Sequence, residues 1–240
     1  MVSLGFDQTF MDIISGAYNN ATFVTNLKAI KTFMKDFHAS TSPMFDDIEA
    51  EITCLLIMQY NLSTIYDLVP CGAWSTLYLL KTLDIRDISG TVHSYTAENN
   101  IESSITPLTN LASKWVSYVG DVSTQYVNFT SAIDLLFIDC DTYTGFAEEY
   151  VVNLLTPLLA EAKLNNKKIY VMVHDVFHGD TPDSETASVI SFLTQNNILY
   201  FAPRNITHSE TIATLRAAQG LDTELIHQVT TNPAIFFILE

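Results

Sequence analysis

The alternation of hydrophobic and polar positions changes character at Ile65. From there onward, short runs of β-branched and aromatic residues are separated by segments in which apolar residues recur at helical spacing. Strands that alternate with helices favour right-handed crossovers, and therefore a Rossmann-like, doubly wound α/β fold with helices on both faces of a mostly parallel, seven-stranded sheet. The predicted strands are Ile65–Val69, Thr91–Thr96, Trp115–Val119, Ile133–Ile138, Lys168–Val173, Ile198–Ala202 and Ala234–Leu239.

Two of the predicted strands are apolar almost throughout and are followed by acids. The run Ile133–Ile138 leads into Asp139, and the run Lys168–Val173 leads into His174 and Asp175. A strand without a polar face is typical of the centre of a sheet that is covered on both sides. Because ligands of open α/β sheets bind beyond the carboxyl ends of the strands, these polar tips indicate where a site should lie.

A first helical pattern precedes the strands, from Phe6 to Phe37, and we expect breaks near Gly16 and at Asn19-Asn20. Residues 1–60 are expected to form a helical cover and residues 61–240 a Rossmann-like core within a single domain. The first pattern can be a plain covering helix, a lid or the face of a homodimer.

A second helical pattern runs from Met44 to Tyr60. Ser42 is the expected N-cap, and Pro43 would occupy the first helical position. Acids fill the opening turns, where they favour the positive end of the helix dipole. These acids are Asp46, Asp47 and Glu49.

The composition narrows the choice of partners. Among 240 residues, 27 acids face 11 Lys and Arg, which gives a formal charge of -16. This surface repels phosphate, so we expect neither nucleic acid nor a membrane as a partner. The chain has no run of roughly 18 to 20 apolar residues and no signal-peptide pattern at its start. Its three cysteines lack CxxC spacing, so we expect a soluble, cytoplasmic protein.

The segment Tyr66–Thr76 is a strand that runs into a turn of small residues and then a helix. It resembles the first strand and cofactor loop of class I S-adenosylmethionine-dependent methyltransferases, where an acid precedes a glycine-rich loop. The resemblance implies that the loop backbone approaches the cofactor closely and that helix amides bind its carboxylate. In this chain Val69 and Ala73 stand where the family has glycines. The cofactor-binding residues that it implies here are Asp67, Gly72, Ser75 and Thr76.

Two further strand ends fit the same family less closely. The family has an acid after its second strand that accepts bonds from the ribose hydroxyls; here Thr96 holds that position and Glu98 follows. Gly120-Asp121 resembles the turn beside the adenine. The resemblance implies that Glu98 and Asp121 bind the cofactor, although a solvated loop acid and a plain turn explain them equally well.

Two motifs identify the family more specifically. Ile133–Tyr143 is similar to the segment IDLLFIDGDHTY of one methyltransferase subfamily, and Val173–Phe177 is similar to its HDVF ending of the fifth strand. Both occur in the expected order. Thr142 replaces the usual histidine, which leaves a proton-transfer role at that position in doubt.

Asp139, His174 and Asp175 are expected to lie side by side at adjacent strand tips. In the catechol-type O-methyltransferases that this family includes, two acids and an Asn at these strand tips hold Mg²⁺. The resemblance therefore implies a metal site at the same place here. Here His174 would favour Mn²⁺, Fe²⁺ or Zn²⁺. Alternatively, His174 is a general base, with Asp175 as a second catalytic residue, or a structural imidazole, and Asp139 is a cofactor-binding residue.

The resemblance implies transfer of a methyl group from S-adenosylmethionine to an oxygen atom of a small-molecule acceptor. The departures at Val69, Ala73, Thr96 and Thr142 leave a second interpretation, an inactive methyltransferase-like fold that serves as a binding or assembly protein. A nicotinamide-dependent oxidoreductase is disfavoured because no G-x-G-x-x-G follows a predicted strand.

Overall fold

The computed structural model describes residues 8–37, 46–70, 73–98, 101–129, 132–139, 145–176, 184–203, 206–223, 226–227 and 234–240. Its helices are α1 (Gln8–Tyr18), α2 (Ala21–Lys35), α3 (Asp47–Tyr60), α4 (Trp74–Ile85), α5 (Glu102–Ile105), α6 (Thr109–Ala112), α7 (Phe146–Tyr150), α8 (Thr156–Asn165), α9 (Ser184–Gln195) and α10 (Ile206–Ala218). A 3₁₀-helix lies at Val122–Asn128, and a π-helical stretch, Val151–Leu155, joins α7 to α8.

The strands form one seven-stranded sheet in the order β3-β2-β1-β4-β5-β7-β6. Neighbouring strands from β3 through β5 are parallel, whereas β7 is antiparallel to both β5 and β6. This arrangement confirms the predicted Rossmann-like fold class. The strands are β1 (Thr64–Leu68), β2 (Thr91–Thr96), β3 (Trp115–Val119), β4 (Leu135–Ile138), β5 (Ile169–Val173), β6 (Tyr200–Phe201) and β7 (Ile235–Leu239).

Hydrophobic side chains fill both faces of the sheet. On one face, residues of α1 to α6 and α10 pack against alternate positions of the strands, such as Phe137 and Met172. On the other, the 3₁₀-helix and α7 to α9 cover the intervening positions, such as Ile138 and Val173. The central strands β4 and β5 are buried throughout, as their apolar sequences predict.

The helices ahead of the sheet differ from the prediction at two points. Gly16 lies inside α1, and the chain breaks only at Asn19-Asn20, where the Asn20 side chain caps α2. The expected start of α3 at Ser42 and Pro43 lies outside the described residues. The described helix begins at Asp47, and the side chain of Asp46 is its cap. No described helix is both long and apolar enough to cross a bilayer.

Candidate active site

Polar side chains gather where β1, β4 and β5 end. Alternation along a strand places every second side chain on one face, and Asp67, Asp139 and His174 share a face with Phe137 and Met172, the face that α3 and α4 cover. The backbone continues the parallel register past the strands, with Asp139 N–H donating to Leu68 and His174 N–H to Ile138. The sequence motifs therefore meet at one edge.

His174 lies at the centre of this group. Its Nδ1 is 3.2 Å from Asp139 Oδ1 and 3.3 Å from Asp175 Oδ1. The imidazole is buried, and the two carboxylates are only slightly exposed. Each of the three residues offers one ligand atom, and these atoms lie within 4.8 Å of one another. The expected grouping of these three residues is thus present in the structure.

A third carboxylate, that of Glu49, reaches the imidazole from α3. Glu49 Oε2 lies 3.4 Å from His174 Nε2, and both side chains are buried. The other oxygen, Glu49 Oε1, accepts a 2.7 Å hydrogen bond from the backbone N–H of Ala234, just before β7. The imidazole therefore lies between the carboxylates of Asp139 and Asp175 on one side and the carboxylate of Glu49 on the other.

Burial and charge act in opposite directions on these groups. Burial alone would lower the pKa of His174, but the hydrogen bond with Asp139 and the charges of Glu49, Asp139 and Asp175 raise it to about 9. Burial raises the pKa of Glu49 to about 8, although His174 opposes that shift. Both shifts favour the protonated form of the group concerned.

Asp67 lies near the end of β1 and contacts the start of α4. It is fully buried and accepts a 2.5 Å hydrogen bond from Thr76 and longer ones, of 3.3 Å, from Ser75. Burial raises the pKa of Asp67 to about 7, against the effect of the Thr76 hydroxyl. Three of the four residues expected in the cofactor loop thus contact one another, and these contacts tie the end of β1 to the start of α4.

The backbone at this edge adopts left-handed conformations at residues that are not glycine. Val69 has φ 58°, Ala73 has φ 64° and Asp175 has φ 55°. For a β-branched residue such as Val69 this conformation is unusual, and strained backbone of this kind concentrates at functional sites. Val69 and Ala73 are the positions where the family was expected to have glycine, so at these two positions the backbone has a glycine-like conformation without a glycine.

The remaining expected residues are spread along the same edge. Glu98 lies two residues after the end of β2, and its side chain is exposed. Its backbone N–H and carbonyl both form hydrogen bonds with the Thr96 hydroxyl. Asp121 is exposed and caps the 3₁₀-helix by accepting from the N–H and hydroxyl of Ser123. Gly72 and Thr142 lie outside the described residues. The cofactor roles of Glu98 and Asp121 stay predictions.

Glu49 is the site residue that the sequence reasoning missed. Its place in the sequence predicts no more than a first-turn acid of a helix. A signal was nevertheless present, because residues 52–58 of α3 are apolar apart from Thr53, and a helix segment without a polar stripe is buried all round. Acids on such a helix must be buried too, and buried acids need partners.

The donor set suits a divalent cation of borderline hardness. Two carboxylates and one imidazole nitrogen offer ligand atoms within 4.8 Å of one another, and Glu49 lies on the other side of the imidazole. An imidazole ligand fits Mn²⁺, Fe²⁺ or Zn²⁺ better than Mg²⁺.

Comparison with solved structures finds the same architecture in methyltransferases. The O-methyltransferase from Bacillus cereus in complex with SAH superposes with a TM-score of 0.55 at 15% identity, covering 90% of this chain and 91% of that one. TomG, an O-methyltransferase from Streptomyces achromogenes involved in tomaymycin synthesis and bound to SAM, gives 0.54 at 15% identity, covering 89% of each chain. Cofactor-bound Rv0187 from MTB gives 0.55 at 14% identity, again covering 89% of each.

At these identities the likeness defines the fold. The chain has the Rossmann-like α/β fold of S-adenosylmethionine-dependent methyltransferases, with N-terminal helices added to the sheet. No protein-family model matches the sequence, and no curated protein matches it.

Proposed function

We propose that this protein is an S-adenosylmethionine-dependent methyltransferase that acts on an oxygen of a small-molecule acceptor. The observation that carries the proposal is the meeting of two groups at one edge of a methyltransferase fold. One is the loop built on Asp67, Ser75 and Thr76, and the other is the cluster of Asp139, His174 and Asp175. In this arrangement the first group serves the cofactor and the second the acceptor.

The start of α4 is suited to the carboxylate of the cofactor. Its N-cap, Ala73, is left-handed, and no side chain among the described residues caps the helix. The first amides of a helix have no partners within it, and they attract anions. Asp67 holds this helix start in place through Thr76 and Ser75. We assign the two ribose hydroxyls to the exposed Glu98 carboxylate, which can accept from both.

Asp139, His174 and Asp175 would hold a divalent cation. Such an ion, when bound, orients an acceptor hydroxyl and lowers its pKa. His174 as a general base is the second candidate role, with Asp175 beside it. The rest of the catalysis is positioning, since methyl transfer is an in-line displacement.

Isothermal titration with S-adenosylmethionine and with S-adenosylhomocysteine tests the cofactor assignment. We expect binding in the micromolar range for both. Absence of binding at millimolar ligand would contradict the proposal, and would favour the inactive binding or assembly protein. An activity assay with labelled S-adenosylmethionine and a panel of small hydroxyl compounds then identifies the acceptor.

The ribose contact has its own test. Glu98→Gln should weaken S-adenosylmethionine binding by about tenfold or more, because a hydrogen bond to a charged group contributes about 1.5–3 kcal/mol. Glu102→Gln is the matched control, since Glu102 is a nearby exposed acid at the start of α5. Equal affinity in both variants would remove Glu98 from the cofactor site without affecting the rest of the proposal.

A further inference from the structure

We infer that Glu49 is a positioning residue of this site, which orients His174 so that its Nδ1 is available to a divalent cation. The inference rests on the proposed use of Asp139, His174 and Asp175 as ligands. It adds a residue of the N-terminal helices to the site, and it assigns separate tasks to the two nitrogens of one imidazole.

The two sides of the imidazole are different. Nδ1 faces two carboxylates that can share an ion with it, Asp139 at 3.2 Å and Asp175 at 3.3 Å. Nε2 faces Glu49, at 3.4 Å. A histidine that binds a metal through one nitrogen donates the N–H of the other to a carboxylate or carbonyl, which fixes the tautomer and the direction of the ring. Glu49 is in the right place to be that acceptor.

Glu49 is also held firmly enough to do this. It is buried, and its Oε1 accepts from Ala234 N–H at 2.7 Å, which leaves Oε2 directed at the imidazole. No other described group donates a hydrogen bond to Oε2. Two residues earlier, Asp47 accepts from the backbone N–H groups of Ile226 and His227. The first turn of α3 is therefore held by backbone groups at these residues as well as at Ala234.

This anchoring makes Glu49→Gln an informative substitution. The N–H of Ala234 needs an acceptor, so the amide oxygen stays on that side and the amide NH₂ turns toward His174 Nε2. An NH₂ group is a donor, and it forces Nε2 to accept. The ring proton then lies on Nδ1, where it blocks the ion, although the shape of the side chain is unchanged.

Titration of the full-length protein with Mn²⁺, followed by the electron paramagnetic resonance signal of the free ion, measures the effect. We expect Glu49→Gln to weaken Mn²⁺ binding by about 10- to 100-fold, the usual cost of losing a histidine's outer partner. Glu51→Gln is the matched control, because Glu51 is equally buried on the same helix but pairs with Lys31 and Arg216. It should keep the Mn²⁺ affinity of the unaltered protein.

Several results would overturn the inference: unchanged Mn²⁺ affinity in Glu49→Gln, an equal loss in Glu51→Gln, or no Mn²⁺ binding by the unaltered protein. Equal binding by His174→Gln would overturn it too, since the ion would then be elsewhere. If Glu49→Gln does not fold, Glu49→Asp keeps the charge but shortens the reach, and it should also weaken Mn²⁺ binding. The titration with S-adenosylmethionine reports separately on the proposed function.

Discussion

Asp67 is completely buried, and its hydrogen-bond partners among the described residues are hydroxyl groups. Its carboxyl accepts from Thr76 and Ser75, and no cation is among the described groups that contact it. Two hydroxyl donors do not replace the hydration that the ionised form loses, so burial dominates and the pKa rises to about 7. The carboxyl that ties the end of β1 to the start of α4 is therefore partly protonated near neutral pH.

Asp67→Asn should make stability less dependent on pH. Between the ordinary value of 3.8 and about 7, the folded state binds more protons than the unfolded state, so the ionisation of Asp67 lowers the free energy of unfolding as pH rises through this window. The Asn variant has no such loss. Urea unfolding at pH 4 and pH 8 should show the variant gaining up to about 4 kcal/mol relative to the unaltered protein. Identical pH profiles would show that Asp67 ionises freely.

Some residues of the site could be predicted from the sequence and others could not. Asp139, His174 and Asp175 follow buried strands, so their meeting at one edge follows from the alternation of the sheet. The left-handed backbone at Val69 and Ala73 was indicated only by comparison with a glycine pattern, since neither residue type favours it. Glu49 reaches His174 across 125 positions of sequence, and no local pattern specifies such a contact.

The helix α3 begins with acids that are all buried. Asp47 and Glu51 share Lys31, whose Nζ lies 2.8 Å and 2.6 Å from them, and Arg216 of α10 forms a second ion pair with Glu51. Burial alone would raise the pKa of Glu51, but the hydrogen bond from Arg216 and the charges of Lys31 and Arg216 lower it. The network joins α2, α3 and α10 on the face of the sheet that carries the site.

Lys31→Met should destabilise the fold by about 3–5 kcal/mol, since it leaves two buried carboxylates without their shared cation. Chemical denaturation measures the loss. Lys81→Met is the control, because Lys81 pairs with Asp84 at a partly exposed position, where an ion pair contributes at most about 1 kcal/mol. Similar losses in both variants would mean that the buried network adds nothing beyond an ordinary surface pair.

At the level of elements, local patterns predicted strands better than helix starts. The runs Thr91–Thr96 and Trp115–Val119 are strands with those bounds, whereas the run at Ile198–Ala202 contributes only Tyr200–Phe201. That short strand lies at the edge of the sheet, where pairing with one neighbour limits its length. The start of α3 was predicted wrongly because several capping residues precede the acids, and a sequence alone does not say which one caps.

The molecule as a whole carries an excess of negative charge. With a formal charge of -16, and with several acids buried among cations, the exposed acids repel one another in the compact state. The same charge makes anionic acceptors poor candidates for the proposed reaction, because they would approach an acidic surface.

Added salt should therefore stabilise the protein. The free energy of unfolding should rise between about 0.01 M and about 0.15 M NaCl, as the Debye length falls from about 30 Å to about 8 Å. The loss caused by Lys31→Met should be nearly the same at both salt concentrations, because its partners are screened little when buried. Stability that is independent of salt would show that the exposed acids are already neutralised by their neighbours.

The position of β7 has a consequence for the order of assembly. During synthesis β7 emerges after β5 and β6, yet it lies between them in the sheet. The end of the sheet beyond β5 therefore stays incomplete until residues 235–239 have been made. The N–H of Ala234, which fixes Glu49, arrives at the same stage. A nascent chain can thus build its parallel half early, but Glu49 is anchored only once this strand is in place, so an unfinished polypeptide should bind a cation at the proposed site more weakly than the whole chain.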